Sequence, residues 1–217
     1  MASATYFACA SFGMSLLLPW VEYSPGMDGL LERFSPIFTA DQLEEFKREI
    51  ADSPIHPFWT ALLQGLIVGP TVNAIAGFGE EVGWRGLMFR ELIHTGFWRC
   101  SALTGFVWGL WHAPLVMLGH NYPQHPSIGV LMMIAWTMLL SPIFSYVRLK
   151  SGAVPAAAIL HGSLNATAGL SIMLVKGGDD LTTGVSGLPG FAVLGTSCML
   201  LYIRLRDGWC HEIYDYR

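Results

Sequence analysis

The sequence predicts an all-α fold: a polytopic transmembrane helical bundle with about six spanning helices, plus a short amphipathic helix outside the membrane. Three observations carry that prediction. Of 217 residues, 53% are hydrophobic and 13% are charged, against about a quarter charged in ordinary soluble domains. The mean hydropathy is +0.46. Apolar runs approaching the ~20 residues that a helix needs to cross a bilayer recur along the chain. We read residues 1–217 as one integral membrane domain whose motif-bearing core spans about 57–175.

The first run, Ala4 to Val21, is uncharged and has no basic residue before it, so it reads as a span and not as a cleaved secretory signal. Residues 22–56 differ in kind. They hold half of the sixteen acidic residues and only Arg33, Lys47 and Arg48 among the basic ones, which marks an extramembrane segment. Within it, Thr39-Ala40-Asp41-Gln42 predicts the start of a helix to about Ile50, with Leu43, Phe46 and Ile50 on one face. Pro57 opens the next span, and Gly65 and Gly69 give it a small-residue face. Arg90, Glu91, His94 and Arg99 then mark an interfacial stretch before the run from Cys100 to Leu118. Ile128 to Val147 is a further span that Pro142 should kink, and Ala153 to Val175 follows after a break at Lys150-Ser151-Gly152. A Gly-rich polar loop, 176–190, leads to the last span, Phe191 to about Leu205.

If the spans alternate sides, Arg90, Arg99, Arg148, Lys150, Arg204, Arg206 and Arg217 share one face, and Arg33, Lys47, Arg48 and Lys176 the other. The positive-inside rule makes the first face cytoplasmic, with both termini of the chain, in a cell membrane. Glu80 and Glu81 are then expected near the cytoplasmic end of their helix. A net charge of −4 with no dense basic cluster argues against nucleic acid as a partner. Membrane lipid is the partner that the composition implies. Cys9, Cys100, Cys198 and Cys210 lack C-x-x-C spacing, and the first three sit in or beside apolar runs as small fillers.

The chemistry concentrates in three stretches. No charged residue occurs from Pro57 to Phe78, and then Glu80 and Glu81 arrive together. An ionised side chain at membrane depth costs about 2.5–3.5 kcal/mol on the mildest scale, so it implies a partner or a function. Arg85 is four residues from Glu81 and shares its helical face, whereas Glu80 points about a hundred degrees away. Glu80 is therefore the carboxylate free to take and return a proton. The second stretch is Trp108-Gly109-Leu110-Trp111-His112-Ala113-Pro114, in which Pro114 cannot donate to the Leu110 carbonyl and opens the helix where His112 projects. The third, His161 to Asn165, sets an imidazole and a carboxamide on one face, beside a small face of Ala158, Gly162 and Ala166. Each alone could glue helices; three polar clusters on three spans suggest one hydrolytic site.

E-E-x-x-x-R at Glu80, Glu81 and Arg85, an aromatic-x-x-x-H at Trp108 and His112, and H-x-x-x-N at His161 and Asn165 resemble the CPBP, or Abi, family of intramembrane endopeptidases. That family includes the type II CAAX prenyl proteases. Trp108 stands where the family usually has Phe. About eight helices are usual in the family, so the resemblance also implies a chain short at its N-terminus. It implies peptide hydrolysis of a membrane-associated or lipidated substrate, of CAAX type or in bacteriocin maturation or immunity. Glu80 would be the general base, with His112 holding the water, His161 and Asn165 donating to the oxyanion, and Glu81, Arg85 and Trp108 in support. A zinc version would use Glu80, His112 and His161. Without H-E-x-x-H, and with no obvious carboxylate behind either histidine, a metal-free mechanism is favoured and no cofactor is expected. A non-catalytic scaffold or transporter is the rival from another class.

Overall fold

Helices dominate the computed structural model, which describes residues 2–35 and 38–206; Cys210 and Arg217 lie outside the described residues. Helix α1 (Ala2–Ser15) stops before Val21. Leu17 and Leu18 instead donate to the Met14 and Ser15 carbonyls in tight turns ahead of Pro19. The chain enters strand β1 (Glu22–Tyr23), then helix α2 (Asp28–Phe34), which the sequence pattern did not signal. Helix α3 (Ala40–Asp52) begins as expected. The Thr39 hydroxyl accepts from the Gln42 amide at 3.3 Å, and the Gln42 side chain accepts from the Thr39 amide at 2.9 Å. Its Phe46 and Ile50 pack on Met27, Leu30 and Leu174, so the apolar face caps one end of the bundle.

Helix α4 (Pro57–Thr95) is 39 residues long and runs on well beyond the expected end of its apolar run. Two stretches of it, Gly69–Asn73 and Val82–Met88, are widened into π-helix. The first contains Pro70, which has no N–H for an α-helical bond, and the wider turn accommodates it. Helices α5 (Phe97–Trp111) and α6 (Ala113–Met117) form one rod interrupted at His112, as Pro114 requires. Helix α7 (Pro126–Ser151) continues through Pro142 and ends at Gly152, whose φ of +68° favours glycine. Helices α8 (Val154–Thr167) and α9 (Leu170–Met173) lead to strand β2 (Val175–Lys176), which pairs antiparallel with β1. Helix α10 (Leu188–Arg206) closes the described chain.

Three of these helices, α4, α7 and α10, are long and apolar enough to cross a membrane by length and composition. The other three expected spans form helices of 14, 15 and 14 residues. At ~1.5 Å per residue these rise only ~21–23 Å. The turn after Ser15, the break at His112 and the turn near Gly169 shorten them.

Neighbouring helices run antiparallel through small residues. On α4, Gly69 lies against Ser163, Gly77 against His161 and Gly86 near Val154 of α8. A Cβ on Gly162 would collide with the backbone of Asn73 and Ala74, so only glycine permits this approach. Helices α5 and α7 meet through Gly105 and Gly109, and Thr137 donates to the Gly105 carbonyl at 2.9 Å. Between the pairs sits a core that includes Trp108, Leu140, Phe144, Leu160 and Leu164.

The connections 22–56, 118–125 and 174–187 gather at the end of the bundle capped by α3. Tyr122 donates to the Ser186 carbonyl at 2.8 Å. Asp180, buried, accepts from the Gln124 and His125 amides and from His125 Nδ1 at 2.7 Å. Arg33 donates to the Gly177 carbonyl and the Thr183 hydroxyl.

Candidate active site

The two adjacent acids of α4 have opposite surroundings. Glu81 is fully buried and pairs with Arg85 at 3.2 Å, one turn along and also fully buried. The Arg85 guanidinium is sandwiched between the rings of Trp108 and Phe144, 4.7 and 4.8 Å from their centroids. The pair forms although Arg85 lies inside the π-widened stretch and Glu81 just before it. Glu80, with 27% of its side chain exposed, points elsewhere. Its Oε2 accepts from the indole N–H of Trp108 at 3.1 Å and of Trp84 at 3.5 Å. Thus Glu80 is held by neutral donors while the buried cation belongs to Glu81, the division that the helical angles predicted.

His161 lies between the two acids. Its Nδ1 is 2.8 Å from Glu81 Oε1, and its Nε2 is 3.9 Å from Glu80 Oε1. A carboxylate does stand behind His161, contrary to the expectation drawn from spacing along α8, because Glu81 reaches it from α4. An ionised carboxylate only accepts, so Nδ1 carries a proton and Nε2 is left to face Glu80. His112 is ordered the same way by backbone. Its Nδ1 is 3.0 Å from the Trp108 carbonyl, which leaves Nε2 for the cavity.

Glu80, Trp108, His112, His161 and Asn165 line one cavity of ≈ 330 Å³. All four sequence-predicted catalytic residues are therefore brought together, with Trp108 in the wall and Glu81 and Arg85 behind it. Sequence reasoning missed three contributors. Trp84 stands to Glu80 as Arg85 stands to Glu81, at i+4, a signal that was present. Phe144, which stacks on Arg85 and packs edge-on to His161 with centroids 5.8 Å apart, carried no local signal. His120, also in the cavity wall, sits in a loop outside any helical motif.

Among the described residues, the three-residue cluster of His, Cys, Asp or Glu whose ligand atoms lie within 4.8 Å of one another is His125, Asp179 and Asp180. Glu80, His112 and His161 are not among that cluster.

A stretch of the chain is 39% identical over 49 residues to CAAX prenyl protease 2 of Methanococcus maripaludis, covering 22% of this chain and 18% of that protein. The match therefore spans less than a fifth of the curated relative. No solved structure matches the chain. The type II CAAX prenyl endopeptidase Rce1-like family model matches residues 56–167, just over half of the sequence and inclusive of all three motifs. With its apolar helices and the motif residues gathered at one cavity, the chain is an integral membrane protein that belongs to the Rce1-like family.

Proposed function

We propose that the protein is an intramembrane endopeptidase that hydrolyses a peptide bond of a membrane-associated or lipidated substrate, with residues 1–217 acting as one protease domain. The observation that carries this reading is the unequal treatment of two adjacent acids: Glu81 is neutralised by Arg85, while Glu80 is left facing a cavity between two histidines. In the reaction, Glu80 takes a proton from water as the water oxygen bonds to the scissile carbonyl carbon. The carbon–nitrogen bond then breaks, and that proton passes to the leaving amine. His112 Nε2 holds the water. Asn165, exposed in the cavity one turn beyond His161, donates to the oxyanion. His161 can donate from Nε2 only as imidazolium, and its charge would then lie between the carboxylates of Glu80 and Glu81. The relative's name suggests CAAX-type processing as the substrate class.

The test compares membrane peptidomes of cells carrying wild-type and Glu80→Gln protein. A C-terminal fragment made by wild type should fall by a hundredfold to ten-thousandfold with the nearly isosteric amide. Equal fragment yields would leave a scaffold as the better reading. The carboxylate behind His161 favours a second reading, zinc on Glu80, His112 and His161. The spread of those three groups supports the metal-free mechanism instead, and purified protein should keep its activity after exhaustive chelation. Loss restored by zinc alone would reverse that choice.

A further inference from the structure

We propose that His120 contacts the bound peptide and is a further substrate-binding residue of the site; this rests on the protease reading. His120 shares the cavity wall with Glu80, His112, His161 and Asn165. Its ring lies nearly parallel to that of His112, with an interplanar angle of 19° and centroids 6.2 Å apart. His120 is exposed, so this ring is not there to fill a core.

The backbone is shaped to put it there. Gly119 has φ +95° and Asn121 has φ +61°, so His120 is bracketed by two left-handed residues. A non-glycine residue in that region is held by its surroundings. The His120 amide donates to the Leu115 carbonyl at 3.0 Å, and its own carbonyl accepts from Tyr122 at 2.8 Å. Tyr122 is fully buried and tied to Ser186, and Asp180 secures Gln124 and His125 just beyond. The turn is thus anchored on both sides, the condition for presenting a side chain in a fixed place.

Asn121 walls both the catalytic cavity and a neighbouring one of ≈ 280 Å³, which extends to Arg33 and Asp180. The two cavities also share Trp136 and Ala168, so a peptide that continued from Glu80 into the second would run between these residues and this turn. Partial desolvation in the cavity wall and the adjacent His112 lower the pKa of His120, with Glu80 opposing. In its neutral form the ring offers one donor and one acceptor, which suits the alternating N–H and C=O of an extended peptide.

The test uses purified protein and an internally quenched, farnesylated peptide ending in Cys-aliphatic-aliphatic-X. His120→Ala should raise KM about three- to tenfold with little change in kcat, the loss expected of one neutral hydrogen bond made equally in ground and transition states. His120→Gln should recover most of that loss, because an amide also donates and accepts. His120→Phe, which keeps the ring against His112, should not. Rescue by Phe but not Gln, or an unchanged KM in His120→Ala, overturns the proposal, and the Gln and Phe pair decides it even if the alanine variant folds poorly. Wild-type protein that cleaves this peptide no faster than Glu80→Gln would instead overturn CAAX-type cleavage, and this inference with it.

Discussion

The indole N–H of Trp108 donates to Glu80 at 3.1 Å, a bond that a phenylalanine in its place could not make. The same ring covers the Arg85 guanidinium, so one side chain orders the proposed base on its edge and the buried cation on its face. Trp108→Phe separates the two roles. The face-on contact survives, the N–H is lost, and kcat should fall about tenfold to a hundredfold, in line with ~1.5–3 kcal/mol for a hydrogen bond to a charged group. Thermal stability should change little. A comparable fall in stability with kcat intact would make Trp108 a packing residue for Arg85 only. The roles of Glu80 and Glu81 were legible in the sequence because helical geometry alone separates neighbours by a hundred degrees. The partnership of His161 with Glu81 was not, since it joins residues eighty apart and depends on how closely α4 and α8 approach.

At the scale of elements, that approach was partly readable. Gly65, Gly69, Ala158, Gly162 and Ala166 were recognisable as small faces, and the structure packs them against one another. Their register was not readable, because small residues permit contact at many offsets. The helix α2 and the β1–β2 pair carried too little periodicity to be seen at seven and two residues. The loops at the capped end depend on Asp180, whose carboxylate holds two backbone amides and the His125 ring. Asp180→Ala would leave those amides without their acceptor, and it should lower the melting temperature and speed proteolysis within 118–125. The His125 bond also has a pH signature. Hydrogen bonding to Asp180 raises the His125 pKa. Its contribution is therefore complete below the ordinary histidine range and is lost as pH rises through the raised folded value. In wild-type protein, proteolysis of this loop, corrected for protease activity, should increase across that range. A profile identical to that of His125→Gln would show that the ion pair does not fasten the loop.

For the whole molecule, the open question of consequence is which side of the membrane the cavity serves. Glu80 lies about fifteen residues inside α4, away from the helix end at Thr95, because α4 continues past the expected boundary. From Glu80 and His161 the cavity wall runs to His120 and Asn121, in the loop that shares its end of the bundle with residues 22–56. That end carries Arg33, Lys47, Arg48 and Lys176, the smaller basic set; Arg90, Arg99, Arg148, Lys150, Arg204 and Arg206 lie at the other. On the positive-inside rule, the His120 end of the cavity is expected to face away from the cytoplasm. Labelling with a membrane-impermeant maleimide tests this in two proteins lacking Cys9, Cys100 and Cys198. One retains only Cys210, and the other has Cys210 removed and carries Lys47→Cys, on the exposed face of α3. The expected outcome is that Lys47→Cys reacts in intact cells and Cys210 only after permeabilisation. That result would favour a peptide or protein terminus reached from the non-cytoplasmic face over a C-terminus lipidated in the cytoplasm. The reverse pattern would refute the charge count, open the cavity to the cytoplasm and strengthen the CAAX assignment, because the proposed chemistry at Glu80 is the same in either orientation and only the substrates able to reach it differ.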